Sequence, residues 1–232
     1  MLFRSLGSNV IFDALASNDI DVYVDYSGTL WANQFHRTEI KPRHEVIGEL
    51  KEILAKQNIT LLGELGFENA YALVMPRARA EALGIHSIAD LAKQSSTMSI
   101  VGDYEFFSRP EWTALKAAYQ LEFKTQRQMQ PDFMYAAVAS SEVDVIAGYT
   151  SDGLIAKYDL VTLDDPKHII PPYDAILLAA PRRTSDDKMR AALQPLLGHI
   201  TIDAMREANL RASSGNSPDE TARWLWDKIT AR

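Results

Sequence analysis

Apolar positions recur along the chain at two spacings. Val46, Ile47, Leu50, Ile53 and Leu54 fall at helical intervals, as do Trp112, Leu115 and Tyr119, and Met189, Leu193, Leu196, Leu197 and Ile200. Each set marks one face of a predicted helix. Short apolar runs between polar or turn residues predict strands at Thr60–Leu62, Ser99–Val101 and Leu160–Leu163. Strands that alternate with helices predict α/β layers. Ser217-Pro218-Asp219-Glu220 joins a Ser-x-x-Glu capping box to a proline at the first helical position, so a last helix is expected to start there. Ser213-Ser214-Gly215-Asn216, just before it, reads as a loop.

The pattern also repeats. The segment from Ala14-Leu15-Ala16-Ser17 to Tyr26-Ser27 aligns without gaps on the segment from Ala137-Val138-Ala139-Ser140 to Tyr149-Thr150. Both read as a helix end, a polar turn and a buried strand that stops at a tyrosine. Helix-start residues follow in each, Ser27-Gly28-Thr29 and Thr150-Ser151-Asp152. A second echo relates Tyr71-Ala72-Leu73-Val74-Met75-Pro76-Arg77 to Tyr173 and the run that ends at Pro181-Arg182. Helix–turn–strand units are common, and short matches also arise by chance. Taken together, the two echoes suit a two-lobed α/β protein whose chain crosses between lobes and returns. Ligands of open α/β sheets sit beyond the carboxyl ends of strands. Tyr26 and Tyr149 would then face a common cleft.

Composition narrows the function. The chain has 232 residues, 47% hydrophobic and 24% charged, enough for a full core without staples. It has no cysteine, which removes disulfides, thiolate nucleophiles and cysteine-ligated metals. Its net charge of −7 argues against nucleic acid as a partner. No apolar run reaches the roughly 18 residues a membrane span needs. The first residues, Met1 to Ser8, show no apolar core of a signal peptide. There is no G-x-S-x-G elbow, P-loop or G-x-G-x-x-G. His36, His44, His86, His168 and His199 form no metal-binding pair, so neither a metal nor a cofactor is expected.

What remains is a set of tyrosines, Tyr26, Tyr71, Tyr149 and Tyr173, at strand ends and crossovers. A quaternary ammonium group has no N–H to donate. It is held by the negative faces of aromatic rings, at roughly 0.5–2 kcal/mol per good ring. Singly, each tyrosine reads as a core-edge residue with its hydroxyl in water. Their doubled placement favours an aromatic box. Arg109 adds an anion site. Ser108-Arg109-Pro110-Glu111 reads as a capping box with Ser108 as N-cap, which puts a cation against the helix dipole at a cost of about 0.3–1 kcal/mol. A ligand carboxylate would relieve it. The competing reading is a surface pair with Glu105 or Glu111.

Five blocks, met in order, carry a family resemblance. They are Gly7-Ser8 leading into Val10–Leu15, Asp21–Thr29, Gly66–Leu73, Asp144–Gly153 and Pro171-Pro172-Tyr173. With them the chain resembles the substrate-binding proteins of glycine betaine/carnitine/choline (osmoprotectant) ABC importers. The resemblance implies a type II periplasmic-binding-protein fold, two α/β lobes joined by two crossover strands. It implies lobe boundaries at 1–72, 73–173 and 174–232, the last segment returning to the first lobe. It implies that Tyr26, Tyr71, Tyr149 and Tyr173 hold the trimethylammonium group, that Arg109 binds the carboxylate, and that Thr29 adds a polar contact. The implied function is that of an extracytoplasmic, non-enzymatic solute-binding protein feeding an ABC permease. The alternatives are another amine or amino acid on the same fold, or a small α/β hydrolase. Family members carry a strand and a helix ahead of the segment that starts here. The first lobe is therefore expected to be a parallel sheet without its opening elements, with an exchanged or edge-paired dimer as one repair.

Overall fold

The computed structural model describes residues 8–37, 39 and 41–231; Gly7 and the residues before it, on which one motif and the leader reading rest, lie outside. In chain order the first elements are α1 (Ser8–Ala16), β1 (Val22–Tyr26), α2 (Ser27–Thr29), α3 (Arg43–Ala55) and β2 (Thr60–Glu68). Then come β3 (Tyr71–Pro76), α4 (Arg77–Leu83), α5 (Ile88–Ala92), β4 (Ser99–Gly102), α6 (Pro110–Tyr119), β5 (Thr125–Gln128), α7 (Pro131–Ala139), β6 (Val145–Tyr149), α8 (Gly153–Lys157) and β7 (Leu160–Thr162). The chain ends with β8 (Asp174–Ala179), α9 (Asp187–Leu193), α10 (Ile202–Ser213) and α11 (Pro218–Thr230).

These elements form two compact units. The first comprises the described residues up to Asn69, Pro171–Ala204 and those from Trp224 on; the second comprises Ala70–Ile170 and Met205–Arg223. This division differs from the expected one chiefly at the return segment, where residues 205–223 go with the second unit. The reason is local bonding. Arg206 Nε donates to the Thr150 carbonyl at 2.7 Å and Asn209 Nδ2 to the Ser151 carbonyl at 2.8 Å. A Cβ on Gly153 would lie 2.4 Å from the Leu210 nitrogen, so α10 packs directly on the backbone there.

In the first unit β8 lies between β1 and β2 and runs antiparallel to both. A parallel first-lobe sheet was expected; the returning strand β8 takes the centre instead. All six of its residues are buried, as suits a central strand. Phe12 and Leu15 of α1, Val46, Leu50 and Leu54 of α3, and Ile176 and Leu178 of β8 make one core. The expected burial of the first echo strand does not hold, since β1 is an edge strand and Val22 and Val24 are exposed.

In the second unit the strand order is β5-β4-β6-β3-β7. β4 is parallel to β5 and β6, whereas β3 is antiparallel to β6 and β7. The period of two along β3 separates two cores. Tyr71, Leu73 and Met75 face Ile88, Leu91, Phe106, Trp112 and Leu115. Ala72 and Val74 face Met134, Tyr135 and Val138 of α7. β5 reads Thr-Gln-Arg-Gln and is exposed throughout, so it carries no apolar signal. The apolar stripe from Met189 to Ile200 is not one helix; α9 ends at Leu193 and a 3₁₀ turn over Gln194–Leu196 follows, because Pro195 cannot continue the ladder. The last capping box forms: Glu220 N donates to Ser217 Oγ at 3.2 Å and Ser217 N to Glu220 Oε2 at 2.8 Å.

Candidate functional site

Antiparallel pairing of β3 with β6 sets Tyr71 directly opposite Tyr149. Cross-strand partners share a face of the sheet. Their rings lie 4.6 Å apart with a 31° tilt, and Tyr149 Oη donates to Tyr71 Oη at 2.9 Å. Phe106 supports the pair from below, its ring 5.2 Å from Tyr71 and 5.4 Å from Trp112. Burial pushes both phenols above the ordinary tyrosine range. Both therefore stay protonated, as their mutual hydrogen bond requires.

Arg109 joins this pair. Its guanidinium carbon lies 5.1 Å from the Tyr71 ring centroid. Its Nε is 3.4 Å from Glu111 Oε2 and its Nη1 3.7 Å from Glu105 Oε2. The expected capping geometry differs by one residue. Arg109 itself is the N-cap of α6, with extended φ −78° and ψ 149°, and Ser108 Oγ instead donates to the Glu105 carbonyl at 2.6 Å. Proline at 110 favours an extended predecessor, which places the cap at Arg109. Outside the helical turn, the guanidinium extends over the ring and toward Glu105 and Glu111, the contacts of the surface-pair reading.

The first unit holds the other three predicted residues. Tyr26 ends β1, Thr29 lies in α2 and Tyr173 immediately precedes β8. Gly28 explains how Tyr173 fits. A Cβ there would lie 2.8 Å from Tyr173 Cδ1, from its Cε1 and from the Pro172 carbonyl oxygen. Ser27 Oγ donates to that Pro172 oxygen at 3.0 Å and accepts from Asp174 N at 2.9 Å. Asn69 N donates to the Tyr173 carbonyl at 3.0 Å.

Two features escaped the residue patterns. Each of the two predicted first-unit tyrosines has a buried acid beside it in sequence, Asp25 next to Tyr26 and Asp174 next to Tyr173. Asp25 Oδ1 accepts from Tyr26 N at 2.7 Å. Asp174 pairs with Arg43 at 3.1 Å, and burial still pushes its carboxyl up to about 6. The mirrored Asp-Tyr and Tyr-Asp dipeptides were the available signal. The second feature is Asp152, read as a helix-start residue. It is the N-cap of α8, yet its side chain makes no cap hydrogen bond and turns back to accept from Tyr149 N at 3.2 Å.

A surface groove of about 670 Å³ in the second unit is lined by Tyr104, Met129 and Phe133 among others, and by none of the six predicted residues. Among the described residues, no group of three or more His, Cys, Asp or Glu could hold a metal ion, and no helix is long and apolar enough to cross a membrane.

Comparison with known proteins bears on the chemistry. Residues 3–228 match the family model described as the substrate binding domain of an ABC-type glycine betaine transport system. A carnitine transport binding protein of Listeria monocytogenes is 26% identical over 217 residues, covering 91% of this chain and 70% of that protein. A glycine-betaine-binding protein of Pseudomonas aeruginosa is 31% identical over 182 residues, covering 73% and 58%. A crystal structure described as a glycine betaine/carnitine/choline ABC transporter superposes with a TM-score of 0.91 at 29% identity, over 98% of this chain and 86% of that one. The mixed-sheet architecture is thus that of the type II periplasmic binding proteins.

Proposed function

The chain belongs to the family of substrate-binding domains of ABC-type glycine betaine transport systems, and on that premise we propose that it captures a zwitterionic quaternary ammonium osmolyte outside the cytoplasm and passes it, chemically unchanged, to an ABC permease. Tyr26, Tyr71, Tyr149 and Tyr173 take the trimethylammonium head through their ring faces. Arg109 takes the carboxylate, and Thr29 adds a polar contact. The observation that carries this reading is the Tyr71–Tyr149 pair with a guanidinium beside it: ring centroids 4.6 Å apart and one cation 5.1 Å from the Tyr71 ring. That combination suits a ligand with a cation at one end and an anion at the other. Choline matches only half of it, because its hydroxyl offers Arg109 no charge.

Calorimetric titration with glycine betaine, carnitine and choline tests the reading. Glycine betaine or carnitine is expected to bind more tightly than choline by at least about tenfold, the factor that roughly 1.4 kcal/mol makes. In Arg109→Gln that preference should collapse toward unity while choline affinity changes little. Choline binding tenfold tighter than both carboxylated ligands would overturn the role given to Arg109.

A further inference from the structure

The side chain of Asp152 does not cap its own helix. Aspartate at an N-cap ordinarily accepts a hydrogen bond from the first turn, but Asp152 makes none. Its Oδ2 instead accepts from the Tyr149 backbone N–H at 3.2 Å and from the hydroxyl of Tyr135. The Asp152 N–H in turn donates to the Tyr149 carbonyl at 3.0 Å. Tyr149 is thus gripped on both sides of its backbone by one residue.

Tyr135 reaches this carboxylate through the sheet's other core. It stands on α7, is 2% exposed and packs with Val74, Val101, Val138 and Ile146, whereas the Tyr149 ring packs on the Phe106 side. Its hydroxyl passes over Gly148, where a Cβ would lie 2.3 Å from Tyr135 Oη. Only a residue without a side chain lets the phenol cross there. The turn beyond is clamped by Arg206 on the Thr150 carbonyl and Asn209 on the Ser151 carbonyl. Thr150 N donates to the Ala70 carbonyl at 2.9 Å and Thr150 Oγ1 accepts from Ala70 N at 3.1 Å, which ties the turn to the start of β3 beside Tyr71.

We propose that Tyr135 and Asp152 are positioning residues for ligand binding, acting through Tyr149: the phenol fixes the carboxylate, and the carboxylate fixes the Tyr149 backbone and with it the ring that faces Tyr71. Buried hydrogen-bond partners of this kind lock the rotamers and backbone of a binding residue, and small displacements there cost affinity. This rests on the reading of Tyr149 as a ligand-holding ring. Burial raises the pKa of the carboxyl, and burial together with the neighbouring carboxylate raises that of the phenol, so Tyr135 keeps the proton it donates.

A double-mutant cycle on the full chain decides. Glycine betaine affinity is measured calorimetrically for Asp152→Ala, Asp152→Asn and Tyr135→Phe, each in the Tyr149 and the Tyr149→Ala background, with the fold checked by near-UV circular dichroism. In the Tyr149 background, Asp152→Ala and Tyr135→Phe should each weaken binding by about tenfold, and Asp152→Asn by less, since its amide oxygen still accepts from Tyr149 N. In the Tyr149→Ala background the same changes should cost less than about twofold. Val138→Ala, in the same core, should lower stability and leave affinity unchanged. If Asp152→Ala does not fold, Tyr135→Phe and Asp152→Asn carry the same comparison. Equal losses in both backgrounds, or no loss in either, overturn the positioning role while leaving the aromatic site intact. A Tyr149→Ala protein that binds as tightly as the unmodified chain overturns both.

Discussion

Removing a single oxygen from Tyr149 separates what its ring does from what its hydroxyl does. In Tyr149→Phe the ring stays 4.6 Å from Tyr71, but the 2.9 Å hydroxyl pair is lost. A neutral hydrogen bond of this kind contributes about 0.5–1.5 kcal/mol net. The Tyr71 hydroxyl, on a residue only 6% exposed, keeps one partner fewer. At about 2–4 °C per kcal/mol for a chain of this length, the unfolding midpoint should fall by about 1–6 °C. Affinity for a quaternary ammonium ligand should change by less than about threefold, because the cation is held by the ring face. Tyr149→Ala removes that face and apolar contact area with it, which together are worth about 1–3 kcal/mol, or about 5- to 150-fold in affinity. Differential scanning calorimetry reads the first effect, and titration with glycine betaine at a temperature where all variants are folded reads the second. The reasoning fails if phenylalanine weakens binding as much as alanine does, since the hydroxyl would then be the ligand contact.

Two further outcomes follow from the first unit. Gly28→Ala drives a methyl into the Tyr173 ring and the Pro172 carbonyl, both 2.8 Å from the added carbon; displacement of Tyr173 should weaken glycine betaine binding by about tenfold, in line with overpacking costs of 1–3 kcal/mol. Gly48→Ala, where an added carbon meets nothing, should leave binding unchanged and raise the midpoint slightly, and equal affinities in the two variants would remove Tyr173 from the site. Asp174 has a folded pKa of about 6 against an ordinary 3.8, so the folded chain holds this proton more tightly than the unfolded one, and stability from this group is lost as pH rises through about 6. Asp174→Asn removes that loss; its stability relative to the unmodified chain should rise between about pH 4 and 6.5, by at most about 3 kcal/mol, and then level off, and a pH-independent difference in chemical denaturation would contradict the burial argument.

The sequence reading and the structure agree where a residue pattern has one physical cause. Val46, Leu50 and Leu54 of α3 and Trp112, Leu115 and Tyr119 of α6 are buried because each helix turns that stripe to a core, with Ile47 and Ile53 half-buried at the margin of the first. Both echo strands end at a tyrosine, Tyr26 and Tyr149, and each follows a helix, as the aligned segments predict. What stayed hidden depends on long-range pairing. No periodicity in Val22–Tyr26 says that this strand is an edge, antiparallel to a strand about 150 positions later. The exposed polar strand β5 has no hydrophobic signal, because its pairing is carried by backbone groups alone. In the candidate site, residue types were legible and their supports were not. Tyr71 and Tyr149 could be singled out from the chain, but their cross-strand register, the Phe106 and Trp112 platform and the backward turn of Asp152 arise from tertiary placement. The one-residue error at Arg109 came from reading Ser-x-x-Glu as a capping box when the proline at 110 had already set the cap.

The central claim is that aromatic faces hold a quaternary cation. It is tested most directly by changing one atom of the ligand. Glycine betaine and 3,3-dimethylbutanoate share their shape and carboxylate, and differ in whether a charged nitrogen or a neutral carbon carries the three methyl groups. Arg109 and apolar burial treat them alike, so competition calorimetry isolates the cation–π contribution. With several rings at roughly 0.5–2 kcal/mol each, glycine betaine is expected to bind at least about tenfold more tightly than its neutral isostere. Equal affinity for the two would show that the tyrosines act as apolar walls alone, and would contradict the account.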